Sequence, residues 1–444
     1  MNTAAGYPAT RADAGAAFEA AQHADNSFAF YNTPSNFSQS TLPGTLLLVE
    51  DATPMLNYTV PISLTLSRII YTTSDINGTV LPTTAYVLWP YTAPDPVKGF
   101  DIVSWAHGTS GVFRTCAPSN YRSLQYHFMV PYTLALQGFV VVAPDYAGLG
   151  IDTLPSGQHF RHQWVTGPAQ ANDVANAIGA ARKAFPQVLQ PNGSFVVMGH
   201  SQGGRAAWAF AEQQAALPLE GYRGTVALAP PVKVVEQVQR AIANTSEVYA
   251  PGTLAQQVMI IDAISTVFPS YNYSGLTGTA YARWVEQVAR LQGCLPTNVL
   301  AFLDLEQDQL VHSGWTNSPI VQEWAKIFEG PLLVIAGDID AAVDFQLVKT
   351  VAEETCAQGQ RKGWHQSLKL VQYSAVSHFA VIQASQQEWL GWIQNRFRDQ
   401  DGEIPGCISR RVDGYRAVPS SLGTAPNFFL RWFDPVVDFW KYIL

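Results

Sequence analysis

Phe195-Val-Val-Met198-Gly199-His200-Ser201-Gln202-Gly203-Gly204 joins a short apolar run to a helical pattern over Gln202 to Ala216. An apolar run, a Gly-x-Ser-x-Gly corner and a helix in that order describe a sharp strand–turn–helix that lifts a serine hydroxyl clear of the backbone. Glycine at 199 and 203 fits, because a Cβ at either position would meet neighbouring backbone at so tight a corner. Gly204 lets the helix that follows lie close to the sheet. Ser201 is therefore the candidate nucleophile.

Working outward, similar runs recur at Asp101–Trp105, Phe139–Ala143, Gly224–Leu228, Leu332–Ala336 and Leu368–Tyr373, each bounded by Gly, Pro, Asp, His or Ser. Helical patterns separate them, among them Gln170 to Phe185 and Phe379 to Phe397. Short β-rich runs alternating with helices predict an α/β fold with a mostly parallel sheet covered on both faces. Its ligands belong at the carboxyl ends of the strands. Val60 to Tyr71 alternates apolar and polar residues, as expected of strands with one exposed face. Between Val232 and about Ala325 no strand is visible. Leu254, Val258, Ile261, Ile264 and Phe268, then Tyr281, Trp284, Val288 and Leu291, keep helical spacing. That interval reads as a helical cap inserted in the sheet. The expected organisation is a polar arm over 1–40, a core over 41–231, the cap over 232–325, the rest of the core over 326–407 and an aromatic tail over 408–444.

A serine hydroxyl needs a base, and the base needs an orienting acid, here expected in the order Ser, Asp, His. Leu332–Ala336 runs into Gly337-Asp338-Ile339-Asp340. Asp340 is the preferred acid, because two further residues let the chain clear the strand before turning inward; Asp338 and then Asp344 are its rivals. His378 follows Leu368–Tyr373 through a short loop and precedes a helix, which makes it the candidate base. His200 adjoins the nucleophile but should point away, and His312 and His365 have no strand before them. Two N–H donors must hold the oxyanion. The backbone of Gln202 should give one, and Thr109 or Ser110, in His107-Gly108-Thr109-Ser110-Gly111, the other. Asp145-Tyr-Ala-Gly-Leu-Gly150 reads as a structural turn at the rim, since its spacing fits no phosphate-binding glycine motif.

The chain of 444 residues is 47% apolar and 14% charged, which excludes a disordered or coiled-coil protein. A net charge of −8 without a basic run argues against nucleic-acid binding. Cys116, Cys294, Cys356 and Cys407 form no C-x-x-C pair, which disfavours zinc and leaves two disulfides as the preferred reading. Asn-x-Ser/Thr occurs at Asn36, Asn57, Asn77, Asn192, Asn244 and Asn272, against about two expected by chance at this composition. These features suit a secreted glycoprotein. The first 30 residues hold no apolar signal segment, so a signal was removed before this numbering begins or export takes another route.

Taken together, Ser104-Trp-Ala-His-Gly-Thr-Ser-Gly111, Cys116-Ala-Pro-Ser119, Asp145-Tyr-Ala-Gly-Leu-Gly150 and Gly199-His-Ser-Gln-Gly-Gly204 resemble the secretory lipases of fungi, of the lipase A type, over most of 45–407. The resemblance implies an α/β-hydrolase core with a late helical cap. It implies a triad of Ser201, Asp340 and His378, and disulfides Cys116–Cys294 and Cys356–Cys407, the first tethering cap to core. The short charged N-terminus, the missing signal and the His-Gly oxyanion loop depart from the family pattern.

The expected activity is carboxylic ester hydrolysis on an ester or lipid, through an acyl-enzyme, with no cofactor or metal. A monomer with transient contact at a lipid interface is expected. The alternative is an acyltransferase or lactone-forming enzyme using the same triad; a serine peptidase and a catalytically dead binding module are further rivals. The aromatic tail over 420–444 reads as a segment packed on the core, with a gating flap as the sharper alternative.

Overall fold

The computed structural model describes residues 11–94, 99–243, 251–324, 333–362, 367–398 and 406–415. They build a ten-stranded sheet in the order β1-β2-β3-β5-β4-β6-β7-β8-β9-β10. The chain starts with α1 (Arg11–Gln22) and then lays down β1 (Leu46–Glu50), β2 (Thr65–Ser74) and β3 (Val80–Trp89), which pair antiparallel. β4 (Ile102–Ala106), α2 (Pro131–Leu136), β5 (Val140–Pro144), α3 (Gly167–Ala184), β6 (Phe195–His200), α4 (Gln202–Ala216) and β7 (Tyr222–Leu228) follow. β8 (Leu333–Gly337) comes after the inserted helices, then α11 (Phe345–Lys362), β9 (Ser367–Tyr373), α12 (Ala380–Ala384), α13 (Gln386–Phe397) and β10 (Gly406–Val412). From β5 to β10 every neighbouring pair is parallel.

The central strands are buried on both faces, which is why their sequences are unbroken apolar runs. Pleating divides them between two cores. Val103, Trp105, Val141 and Met198 face Tyr126, Tyr132, Trp389 and Ile393. Ile102, Val140, Val142 and Val197 face Ile178, Ala207 and Phe210 of α3 and α4.

The structure departs from the sequence reading at several places. β2 and β3 are buried along nearly their whole length rather than on one face. Their polar side chains are satisfied internally: Arg68 pairs with Glu50 at 2.6 Å, and Thr72 donates to Leu42 O. Part of the polar arm is a helix, α1, in which Ala12, Gly15, Phe18 and Glu19 are buried. A Cβ on Gly15 would come within 2.8 Å of Thr297 Cα, so this glycine permits the close approach of α1 to the helix that carries Thr297. The sheet also continues past residue 407, because β10 pairs with β9 from Gly406 to Val412. Being an exposed edge strand, β10 carries no apolar pattern to announce it.

Between β7 and β8 lie α5 (Val234–Ala243), α6 (Pro251–Val267), α7 (Gly278–Arg283), α8 (Leu295–Phe302), α9 (Gln307–Leu310) and α10 (Pro319–Trp324). They share a core of Val258, Ile261, Ile264, Trp284, Val288, Phe302 and Val321. α6 is buried on all sides from Gln257 to Ser265. Tyr281, expected on the same stripe as Trp284, is instead 43% exposed. Beyond Tyr281 the backbone widens into a π turn over Trp284–Ala289, which shifts the phase of the side chains that follow. The aromatic stretch over 420–444 lies outside the described residues.

Candidate active site

The carboxyl ends of β4, β5, β6, β8 and β9 open onto one edge of the sheet, and the loops leaving them carry the candidate residues. At the end of β6 the backbone of Ser201 takes φ 55° and ψ −124°, a conformation that L side chains seldom adopt. Such strain costs about 1–3 kcal/mol and persists only where the surroundings enforce it. Here the Ser201 amide donates to Leu228 O of β7 at 2.9 Å, and the Ser201 carbonyl accepts from Arg205 of α4 at 3.0 Å. A Cβ on Gly203 would collide with the Ala106 carbonyl, and one on Gly199 with the Gly203 carbonyl. The corner is glycine-flanked because strand, corner and helix are in backbone contact.

The loop after β8 delivers Asp340, whose side chain is fully buried. Its Oδ1 accepts the amides of Ala342 and Val343 at 2.8 and 2.9 Å. That leaves Oδ2 for His378, whose Nδ1–H donates at 2.7 Å. The His378 Nε2 then lies 3.0 Å from Ser201 Oγ and faces it with a lone pair. The rival acids are engaged elsewhere. Asp338 accepts from the Ala375 amide at 2.6 Å and from Gln372 Nε2 at 3.2 Å. Asp344 accepts the Gln346 and Leu347 amides at the start of α11. The structure thus brings Ser201, His378 and Asp340 into one hydrogen-bonded row across 177 residues of chain.

His200 does not simply point away. It is fully buried, its Nε2–H donates to the His378 carbonyl at 2.9 Å, and its ring lies 4.6 Å from that of His378. Its Nδ1 accepts from the Tyr126 hydroxyl at 2.8 Å. Burial holds the His200 pKa well below the ordinary imidazole value, so the ring supports the His378 loop as a neutral group. The sequence reading had His200 only pointing away and did not single out Tyr126, because the partners that fix them lie 178 and 74 residues away.

On the other side of Ser201, Gln202 opens α4 and the 107–111 loop leaves β4. The backbone amides of Gln202, Thr109 and Ser110 donate to no acceptor among the described residues. Thr109 Oγ1 accepts from Trp164 Nε1 at 3.1 Å, and the Ser110 carbonyl accepts from Leu295 of α8 at 2.8 Å. Burial lowers the His107 pKa to about 4, so that ring too is neutral. Asp145, next in the motif that follows β5, is buried and raised to about 6 by desolvation, while Ser119 and Thr84 donate to it.

The four cysteines are paired as Cys116–Cys294 and Cys356–Cys407, with Cα atoms 5.4 and 6.1 Å apart. The first joins the loop after β4 to the residue that opens α8. Beside it, Glu19 of α1 accepts the amides of Cys294 and Thr297, both at 2.8 Å. Arg161 pairs with the fully buried Asp262 of α6. Of the Asn-x-Ser/Thr sites, Asn36, Asn57, Asn77, Asn192 and Asn272 are exposed, and Asn244 lies outside the described residues. No described helix is long and apolar enough to cross a membrane.

With this geometry in view, the similarities to known proteins fall into one group. The chain is 24% identical over 430 residues to Lipase 4 of Candida albicans, covering 90% of this chain and 87% of that one. Its fold matches lipase A of Candida antarctica in its closed state with a TM-score of 0.68, at 18% identity, over 89% of this chain and 92% of the other. It also matches the rice cell wall degrading esterase LipA of Xanthomonas oryzae with a TM-score of 0.63, at 18% identity, over 82% of this chain and 100% of the other. The resemblance to fungal lipases of the lipase A type is met in both sequence and fold. The alpha/beta hydrolase family model matches residues 105–387, which include Ser201, Asp340 and His378, and the chain belongs to that family.

Proposed function

We propose that this protein is a serine carboxylic ester hydrolase of the lipase and esterase kind. His378 Nε2 takes the proton from Ser201 Oγ as the oxygen attacks the ester carbonyl. Asp340 fixes the tautomer that leaves Nε2 unprotonated and stabilises the imidazolium that forms. The amide of Gln202, aided by the dipole at the start of α4, and the amide of Thr109 or Ser110 hold the oxyanion. His378 then protonates the departing alcohol, and a water molecule activated by the same ring releases the acid from Ser201. The observation that carries this reading is the 2.7 and 3.0 Å pair of contacts running from Asp340 through His378 to Ser201. Relatives named lipase and esterase support the ester as substrate. The helices over 232–325 are proposed as the cap that bounds the acyl site.

The test is labelling by a fluorophosphonate together with hydrolysis of matched ester and amide substrates. Ester turnover and labelling that both vanish in Ser201→Ala are expected. Full turnover by that variant, or faster cleavage of the amide, overturns the proposal. Adding an alcohol acceptor separates the acyltransferase alternative, which requires transfer to exceed hydrolysis. Secretion and glycosylation remain part of the proposal, supported by two disulfides and five exposed sequons. A mass shift on deglycosylation of the natively expressed protein is expected.

A further inference from the structure

His162 lies outside the Ser201–His378–Asp340 row, yet it is 1% exposed and both of its ring nitrogens are engaged. Nδ1 lies 2.9 Å from the Ala147 carbonyl, which can only accept, so Nδ1 carries the hydrogen. Burial lowers the pKa of this ring to about 3, and the ring is neutral. Its Nε2 therefore presents a lone pair, and it accepts from the Gln202 side-chain amide at 2.8 Å. The orientation of that amide is thereby fixed, with its Oε1 buried on the opposite side without a protein partner.

The face of His162 stacks on Tyr146 at 5.7 Å and 12°. Tyr146 in turn lies 4.3 Å from the His107 ring, and its hydroxyl donates to the His107 carbonyl at 3.0 Å. His107 Nδ1 bonds the Gly108 carbonyl at 2.7 Å. A buried row of three rings thus runs from Gln202 to the 107–111 loop, between the two segments that the mechanism uses as oxyanion donors. The Asp145–Gly150 turn supplies its middle member.

We propose that His162 is a positioning residue for the oxyanion site: it holds the Gln202 side chain, and with it the backbone N–H of Gln202, while the row through Tyr146 and His107 keeps the opposing loop in register. The proposal rests on the reading of Ser201 as nucleophile.

The experiment compares His162→Phe, which keeps a stacking ring but cannot accept, with His162→Gln, which offers an oxygen near the Nε2 position. Each is made alone and in a Gln202→Met background, and pre-steady-state acylation by p-nitrophenyl butyrate is followed. His162→Phe is expected to slow the burst about 10–100-fold, less than the loss of a whole oxyanion donor. KM should stay within about two-fold, and the burst amplitude should be unchanged. His162→Gln should recover most of the rate, and His162→Phe should add nothing once Gln202 is Met. An unchanged burst rate overturns the proposal. So does an equal loss in the Gln202→Met background, or a fall in amplitude alone, which marks misfolding. If His162→Phe does not fold, Gln202→Met carries the test, and a wild-type burst rate in it overturns the proposal. A wild-type enzyme that neither bursts nor takes up fluorophosphonate at Ser201 instead overturns the catalytic reading beneath it.

Discussion

The sheet edge and the helical insertion are built on different physics. At the sheet edge, side chains are placed by backbone: parallel strands with no exposed residue, glycines in contact with carbonyls, and loops only a few residues long. The insertion's apolar core also takes in Ala12, Val112, Trp164 and Val165 from outside it, and polar and covalent ties add to that packing: the Cys116–Cys294 bridge, Glu19 on α8, Arg161 on Asp262, and the Ser110 carbonyl on Leu295. A backbone-built site resists adjustment, whereas an insertion held by side-chain packing and individual ties can be weakened at single residues. The difference teaches that the Ser201–His378–Asp340 row and the inserted helices are held by separable means.

The largest effect should fall on the sheet edge alone. Ser201→Ala is expected to lower kcat by about 10⁴–10⁶-fold, and Asp340→Asn by about 10⁴-fold, with unchanged thermal unfolding. A large loss of stability in Ser201→Ala would break the comparison, because the elbow would then depend on its side chain. Next, replacing Cys116 and Cys294 together by Ser should cost about 3–5 kcal/mol of unfolding free energy, read from denaturant titration. The loss should appear as an early transition of the insertion, reported by the fluorescence of Trp284 and Trp315, while fluorophosphonate labelling of Ser201 persists.

The third prediction concerns Glu19, whose carboxyl is raised by burial from 4.5 to about 7. Between those values the folded protein holds a proton that the unfolded chain does not. The favourable contribution is therefore complete below about pH 4.5 and is lost as the pH rises through 7. Glu19→Gln mimics the protonated acid. Relative to it, the wild type should lose up to about 3 kcal/mol between pH 5 and pH 8, measured by urea unfolding at each pH. Parallel pH profiles for the two proteins would remove Glu19 as a titrating tie. The smallest effect is expected from Tyr126→Phe, which leaves His200 Nδ1 without its donor. About 1–2 kcal/mol and a few-fold in kcat should be lost.

The parts legible in the sequence were those governed by local rules. The elbow at 199–203, the five short central runs and the acid and base just beyond β8 and β9 all follow from strand burial and from where loops leave a parallel sheet. Burial of β2 and β3 was hidden because their Thr, Ser and Arg residues look solvent-facing until Glu50 and α3 are in place. α1 was hidden because its small residues follow a packing surface on α8, 275 residues away at Glu19 and Cys294. Tyr281 was misassigned because helical spacing alone does not show which residue at the margin of an apolar stripe a neighbouring element covers. His162 lay in an aperiodic loop, and no rule of spacing links it to Gln202, 40 residues later.

An open sheet has two borders, and β10 forms one of them. Its exposed run from Cys407 to Arg411 places Arg410 and Arg411 on a strand whose outer rim pairs with no other strand among the described residues, the kind of edge that can template another polypeptide. Arg410 is neutralised by Glu388, while Arg411 leans on Asp413. Paired charges of both signs leave no apolar stripe along that rim, the kind of surface that disfavours edge-to-edge stacking, and the same residues obscured the strand in the sequence.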